Sequence, residues 1–352
     1  MMNIHIKPYS DEYAKKCAYL ERHLWHEDNH GRELRFAWTY ADNPIAKMPL
    51  CVIAVDDEDD VVGFRGCFLN NFWVNDEVIL TAELCDAVVS ETVRKQGVFQ
   101  RMTTFLLTYL KDKGIRMILD LGPSWIPYYS NKKQGFEDLS AFHSKYSFSL
   151  SNIFIERILK RDRMKWKHIE SITLPINNCI YHLTNSVDKS IIGQIDNIVN
   201  TSKIHASLSS DILSWRFARP GKNYLFCYVT DAANNLLSFM LLSTSDFYNY
   251  QLGFIVSKET STFSRLFDLF KKKYKPSTIA VWDFALDGYL KSLITKVGMK
   301  SIPFINKFRK NPPSLIRTLQ TNIDNSLDWN IAGMDIRKVE NWAINKFDLD
   351  SF

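Results

Sequence analysis

The chain has 352 residues, 46% apolar, 24% charged and 13% aromatic, a composition that excludes a disordered or collagen-like chain and supplies apolar material for two domains. Its 44 lysines and arginines against 39 acids leave a net charge of +5, too small to mark a nucleic-acid binder and enough only for a preference for anionic ligands. No run of 18 uncharged apolar residues occurs, the first thirteen residues lack an apolar signal segment, and the cysteines at 17, 51, 67, 85, 179 and 227 form no C-x-x-C pair. A cytoplasmic protein without disulfides or zinc is therefore expected.

In chain order, the first motif is His26-Glu27-Asp28-Asn29-His30. It satisfies H-E-x-x-H, but Asp28, Asn29 and Gly31 favour a helix end over the helix interior that a zinc peptidase needs, and no third ligand follows. Next, Trp38-Thr-Tyr40-Ala precedes Pro44, as Trp215-Arg216-Phe217-Ala precedes Pro220, at an offset of 177 residues (38 to 215). Asp120 and Gly135 recur as Asp283 and Gly298, both at an offset of 163 (120 to 283, 135 to 298). These echoes predict an internal duplication with a divide near residue 155. The aromatic and basic residues Trp38, Tyr40, Trp125, Trp215, Arg216 and Arg219 either pack as core or hold a substrate by stacking and by pairing with a diphosphate.

Residues 49–56, 61–69 and 80–90 are β-branched and apolar at strand length and predict an antiparallel meander. Val98, Phe99, Met102, Phe105, Leu106, Tyr109 and Leu110 recur at helical spacing, so a helix is expected over 98–113, ended at Gly114 and followed by a strand at 115–121. The turn between strand and helix, Arg94-Lys95-Gln96-Gly97-Val98-Phe99, places a glycine and two cations at a helix N-terminus. That arrangement suits a phosphate, and it equally suits an ordinary solvated turn. Neither G-x-G-x-x-G nor G-x-x-x-x-G-K-[ST] occurs. Lys271 to Lys273 with Lys275 read as the basic end of a helix.

The segment 94–99 resembles the R/Q-x-x-G-x-G/A loop of the GNAT acyl-CoA N-acyltransferase superfamily, with Phe99 in place of the usual small residue, and Asn131-Lys-Lys-Gln-Gly135-Phe136 resembles its later G-F element. The resemblance implies an α/β fold with a mixed sheet and coenzyme A as co-substrate. The pyrophosphate would be held by Arg94, Lys95, Gln96, Gly97, Val98 and Phe99, and pantetheine by Val88 and Val89, with Asn131 nearby. It also implies Glu83 as general base, with His143 and Asp86 as further candidates, and Tyr129 or Ser130 near the departing thiolate, because Asn131 stands where many members carry a tyrosine.

The second half reads Ser257-Lys-Glu-Thr-Ser-Thr262 where the loop would recur, without glycine and with Glu259 repelling phosphate. The expectation is thus two GNAT-like domains in tandem, 1–155 binding acyl-CoA and 156–352 degenerate, helping to hold the acceptor and closed by an extension from Pro312. Such pairs resemble bacterial enzymes that acylate nucleotide-linked (dTDP) amino sugars for surface polysaccharide and O-antigen synthesis, with acetyl or a short hydroxyacyl such as 3-hydroxybutyryl. Alternatives are the acylation of another amine, in a peptide, a lysine or an aminoglycoside, and a non-catalytic acyl-CoA sensor. No metal, nucleic-acid or membrane partner is expected.

Overall fold

A computed structural model describes residues 3–140, 143–158, 171–199, 201–244, 248–283, 285–303, 312–320, 325–349 and 352. In chain order the first half runs β1 (His5–Pro8), α1 (Ala14–Leu20), α2 (Asn29–Phe36), β2 (Val52–Val55), β3 (Val61–Val74), β4 (Glu77–Val89), α3 (Val98–Asp112), β5 (Met117–Asp120), α4 (Trp125–Lys132), β6 (Glu137–Ser140) and β7 (Ser144–Phe148). After α5 (Leu150–Ile158) come β8 (Ile172–Ile176), β9 (Cys179–Thr184), α6 (Lys189–Ile195), β10 (His205–Ala206), α7 (Ser210–Phe217), β11 (Tyr224–Asp231), β12 (Leu236–Thr244), β13 (Asn249–Ser257), α8 (Thr260–Tyr274), β14 (Thr278–Trp282), α9 (Gly288–Lys296), β15 (Lys300–Ser301) and β16 (Ser314–Thr318). Two short strands, β17 (Asn330–Ile331) and β18 (Met334–Asp335), pair near the end.

Two mixed sheets result. The first is ordered β1-β2-β3-β4-β5-β16-β6, with β10 on β3, and the second β15-β7-β14-β13-β12-β11-β9-β8. In each, an antiparallel meander leads through one helix into a parallel neighbour: β4 to β5 across α3, and β13 to β14 across α8. The duplication therefore extends to topology. Both repeat glycines adopt the same left-handed backbone, Gly135 at φ 81° and Gly298 at φ 83°.

The halves are tied together by exchanged strands. β7 leaves the first half to pair with β14, and β16, its counterpart, returns from the second half to lie between β5 and β6. The extension expected to close the second half alone thus completes the first sheet as well. Past β16, Trp342, Ile344 and Leu349 share one core with Phe72, Leu119 and Leu121 of the first sheet and Trp282 of the second. Phe347 and Phe352 pack instead beside Phe254 of β13.

Local sequence explains the parts that frame the cleft. β3 and β4 form a long hairpin closed at Asn75-Asp76, with Asn75 at φ 53°. α3 buries Val98, Met102, Leu106, Leu107 and Leu110 along one stripe and ends at Gly114, φ 80°. α8 does the same with Phe263, Leu266, Phe267 and Phe270, and ends in Lys271 to Lys273 as its sequence predicts. Among the described residues no helix is long and apolar enough to cross a membrane, and the six cysteines are free.

Candidate active site

The parallel pairing of β4 with β5 covers only Thr81 to Glu83 against Met117 to Leu119. Beyond Glu83 the two strands part, and a bulge in β4 at Cys85–Asp86, opposite Arg65–Gly66 of β3, turns the strand end further. The gap opens into a cavity of about 690 Å³ lined by His23, Leu24, Ala87, Val88, Val89, Val93 to Lys95, Gly97 to Gln100, and Ser124, Ile126, Pro127 and Ser130 of the α4 entry, with Gln96 outside the lining. Val88 and Val89 thus stand on a strand edge free of β5, and Arg94, Lys95, Gly97, Val98 and Phe99 form one wall.

The loop's geometry suits an anion. Gly97 is the N-cap of α3 at φ 74°, where a side chain would be strained, and Lys95 is also left-handed at φ 65°. The first helical N–H groups, at Val98 to Gln100, have no partner within the helix and face the positive end of its dipole. Arg94 is half exposed and its Nη1 is 3.1 Å from Glu91 Oε1. Gln96 is exposed, and its amide lies 3.4 Å from the Thr92 carbonyl oxygen.

Glu83 is buried, with its Cα opposite Phe68 and Leu119. Its neighbours Ala82 and Leu84 pack on the α3 side, so its side chain leaves on the opposite face, towards α1 and α2. On that face lies a charged network that the sequence does not announce. The Asp86 carboxylate accepts from Trp25 Nε1 at 2.7 Å, Tyr40 OH at 2.7 Å and Arg35 Nη1 at 3.1 Å, and Arg35 also donates to Glu21. Burial pushes Asp86 up, but Arg35 and the Tyr40 and Trp25 hydrogen bonds outweigh it and hold the carboxyl below its usual range. Burial, reinforced by Asp86, pushes Glu21 well above its usual range against the pull of Arg35. Asp86, saturated with donors, anchors α1 and α2 to the bulge. Glu21 and Arg35 were hidden because charged residues on amphipathic helices normally face water.

The remaining sequence candidates separate. Tyr129 and Trp125 are exposed on α4 and stacked on each other, centroids 5.6 Å apart and planes 26° apart, while their neighbours Ile126 and Ser130 line the cavity. Asn131 is fully buried behind them, where its amide donates to Asp120 at 2.7 Å. His143 is exposed just before β7, on the second sheet and outside the cavity lining.

Trp38 and Trp215, candidates for stacking on a base, stack on each other at 4.8 Å, each indole N–H donating to the other's backbone carbonyl at 2.9 and 3.0 Å. Tyr40 is buried against Phe36 and Phe64. Arg216 donates to the backbone of Phe347 and Leu349, and Arg219 to that of Phe352 at 3.0 Å. Trp38 with Trp215, Arg216 and Arg219 joins the halves, and neither these residues nor Tyr40 line the cavity. The H-E-x-x-H residues do not share a helix: Asp28 is the N-cap of α2, accepting from Gly31 N at 2.7 Å, which leaves His26 outside it.

The splayed parallel pair above a glycine-bearing loop at a helix N-terminus forms a cleft suited to an extended anionic ligand. Residues 2–136 match the acetyltransferase (GNAT) family. No curated protein matches the chain. Among solved structures it is similar to a conserved protein from Enterococcus faecalis V583 described as a probable N-acyltransferase, at TM-score 0.65 and 11% identity over 92% of this chain and 74% of that one. A GCN5-related N-acetyltransferase from Kribbella flavida gives TM-score 0.61 and 12% identity over 92% and 73%. A tandem GNAT protein from the clavulanic acid biosynthesis pathway gives TM-score 0.50 and 10% identity over 91% and 100%. At such identities the likeness speaks for the fold, here a tandem one.

Proposed function

We propose that the protein transfers an acyl group from coenzyme A directly to the amine of a nucleotide-linked amino sugar. The observation that carries the reading is the parting of β4 from β5 beyond Glu83 into a cavity walled by the 94–99 loop. In this reading the N–H groups at the start of α3, with Arg94 and Lys95, hold the pyrophosphate, and the free edge at Val88 and Val89 pairs with the amides of pantetheine. Glu83, on the face shared with α1 and α2, takes the proton of the attacking amine, and Tyr129 stands on the helix closest to the departing thiolate. Backbone N–H groups at the bulge meet the tetrahedral oxyanion.

The acceptor assignment is supported by the exposed Trp125–Tyr129 stack beside the cavity, a platform for a planar nucleotide base. Thermal stabilisation by CoA and dTDP, singly and together, tests the reading, since a ligand at a hundred times its Kd adds about 2.7 kcal/mol. Additive shifts from both are expected. A shift with CoA alone removes the nucleotide, and no shift with CoA removes the acyltransferase reading.

A further inference from the structure

Arg65 is unusual among the buried cations of this protein. It lies on β3 directly opposite Ala87, a residue of the cavity wall, and is 2% exposed. Its Nη1 donates to the Cys85 carbonyl at the bulge, 3.2 Å away, and its Cζ is 5.3 Å from the ring centroid of Phe99, which also lines the cavity. Its Nε and Nη2 have no hydrogen-bond partner. Asp120 is the acid that acts on it electrostatically, and that carboxylate is itself engaged by Asn131. Burial lowers the affinity of Arg65 for its proton despite Asp120. A buried guanidinium that leaves two donors unused carries a desolvation cost that native structures normally offset.

The two unused donors are adjacent. Nε and Nη2 form the side of the guanidinium that grips a carboxylate with two parallel hydrogen bonds. Arg65 also lies on the α3 side of the sheet, the side of the CoA loop, whereas Glu83 and the Asp86 network lie on the other. We infer that Arg65 selects an acyl group ending in a carboxylate, such as the monoacyl chain of a small dicarboxylic acid, with the Phe99 ring turning aside to admit it. The inference rests on the acyl-CoA reading above and narrows it to one class of donor. It also gives a use to Phe99, whose ring screens the charge until the acyl chain arrives.

Succinyl-CoA and butyryl-CoA test the point, because their acyl chains match in length and differ in the terminal carboxylate. Calorimetric titration of the full chain with CoA, butyryl-CoA and succinyl-CoA is expected to show succinyl-CoA bound about tenfold more tightly than butyryl-CoA. Arg65→Met should bring succinyl-CoA down to the butyryl-CoA level without moving the latter. Asp120→Asn, which removes the competing acid, should widen the preference. Equal binding of the two acyl-CoAs by the unaltered protein, or tighter binding of butyryl-CoA, overturns the inference while leaving the acyl-CoA reading standing. Absence of binding by all three, CoA included, overturns both. The comparison on the unaltered protein stands even if Arg65→Met does not fold.

Discussion

The two halves part their central strands in the same way and frame the gap differently. In the first, β4 leaves β5 after Glu83; in the second, β13 leaves β14 after Leu252. Each strand end is tied back identically, Ser90 N to Val62 O and Lys258 N to Leu237 O, both 2.8 Å. The second gap also keeps a cavity, about 580 Å³, lined by Phe254 to Lys258, by the segment from Asn197 and by Asp287 and Tyr289 at the start of α9. The loops differ. Eight residues, 90–97, separate strand from helix in the first half, and two, 258 and 259, in the second. Gly97 caps α3 in the left-handed region, whereas Glu259 caps α8 in an extended conformation and brings a negative charge. Part of the second gap is also filled by Phe352, whose ring lies where a side chain on Gly253 would stand. Splaying strands are thus common to both halves, while a left-handed glycine N-cap and a positively charged loop belong only to the longer connection at 90–97.

The largest effect is expected where the halves meet. Trp215→Ala removes the indole stacked on Trp38 and Phe68 and the hydrogen bond its N–H donates to the Trp38 carbonyl, and should cost about 3–5 kcal/mol in urea unfolding. A loss under 1 kcal/mol would mean that the exchanged strands alone hold the halves together.

Next comes the acid in the second cleft. Burial raises Asp348 to about 6 against the opposing Asn345 backbone hydrogen bond and Arg216. A carboxyl whose folded value lies above its unfolded value of about 3.9 favours the protonated native state. Its contribution is complete below about pH 4 and is lost as pH rises through about 6, up to about 3 kcal/mol. Asp348→Asn should therefore flatten the fall in stability between pH 4 and 7. Glu21, also pushed up by burial, adds a fall of the same sign, so an equal slope in the variant would assign the titration to that acid. Replacing residues 90–97 with Lys-Glu, the length and charge of the second loop, should weaken CoA binding about a hundredfold while the melting temperature holds.

Much of this contrast was readable in the sequence. The helix expected over 98–113 is α3 at Val98–Asp112, and the three meander strands appear as β2, β3 and β4, with β3 running on to Val74 because the hairpin turn is at Asn75 and not at the polar pair Asn70-Asn71. The position of the loop was legible because a glycine directly before an apolar helical period marks a helix start, and Gly97 is the N-cap of α3. The exchange of β7 and β16 was not, since partners as distant in the chain as Phe148 and Thr278, or Met117 and Thr318, leave no periodic trace in either strand. Trp38 and Trp215 were found as a repeat but not as a mutual contact, because sequence similarity between two positions does not state their distance. Arg65 was overlooked for a related reason: a single arginine in an apolar strand reads as an edge or an error of register until its neighbours are seen to be buried.

The smallest effect sharpens the comparison most, because it concerns a charge on the longer of the two loops. Arg94 is tied to Glu91 across a single turn at 3.1 Å, with both side chains more than half exposed. An exposed pair of this kind contributes little to stability, so its removal should leave the melting temperature unchanged. It does hold the guanidinium against a carboxylate that a diphosphate would have to displace. Glu91→Gln should therefore tighten CoA binding about two- to threefold at low salt, and the gain should fade towards 0.5 M salt as screening shortens the reach of both charges. The converse substitution, Arg94→Gln, should weaken binding with the same salt dependence. Tightening in Glu91→Gln that survives high salt would point to a change in loop shape, and no change in either variant would place the pyrophosphate on the backbone of α3 alone, with the glycine and not the arginine separating the first cleft from the second.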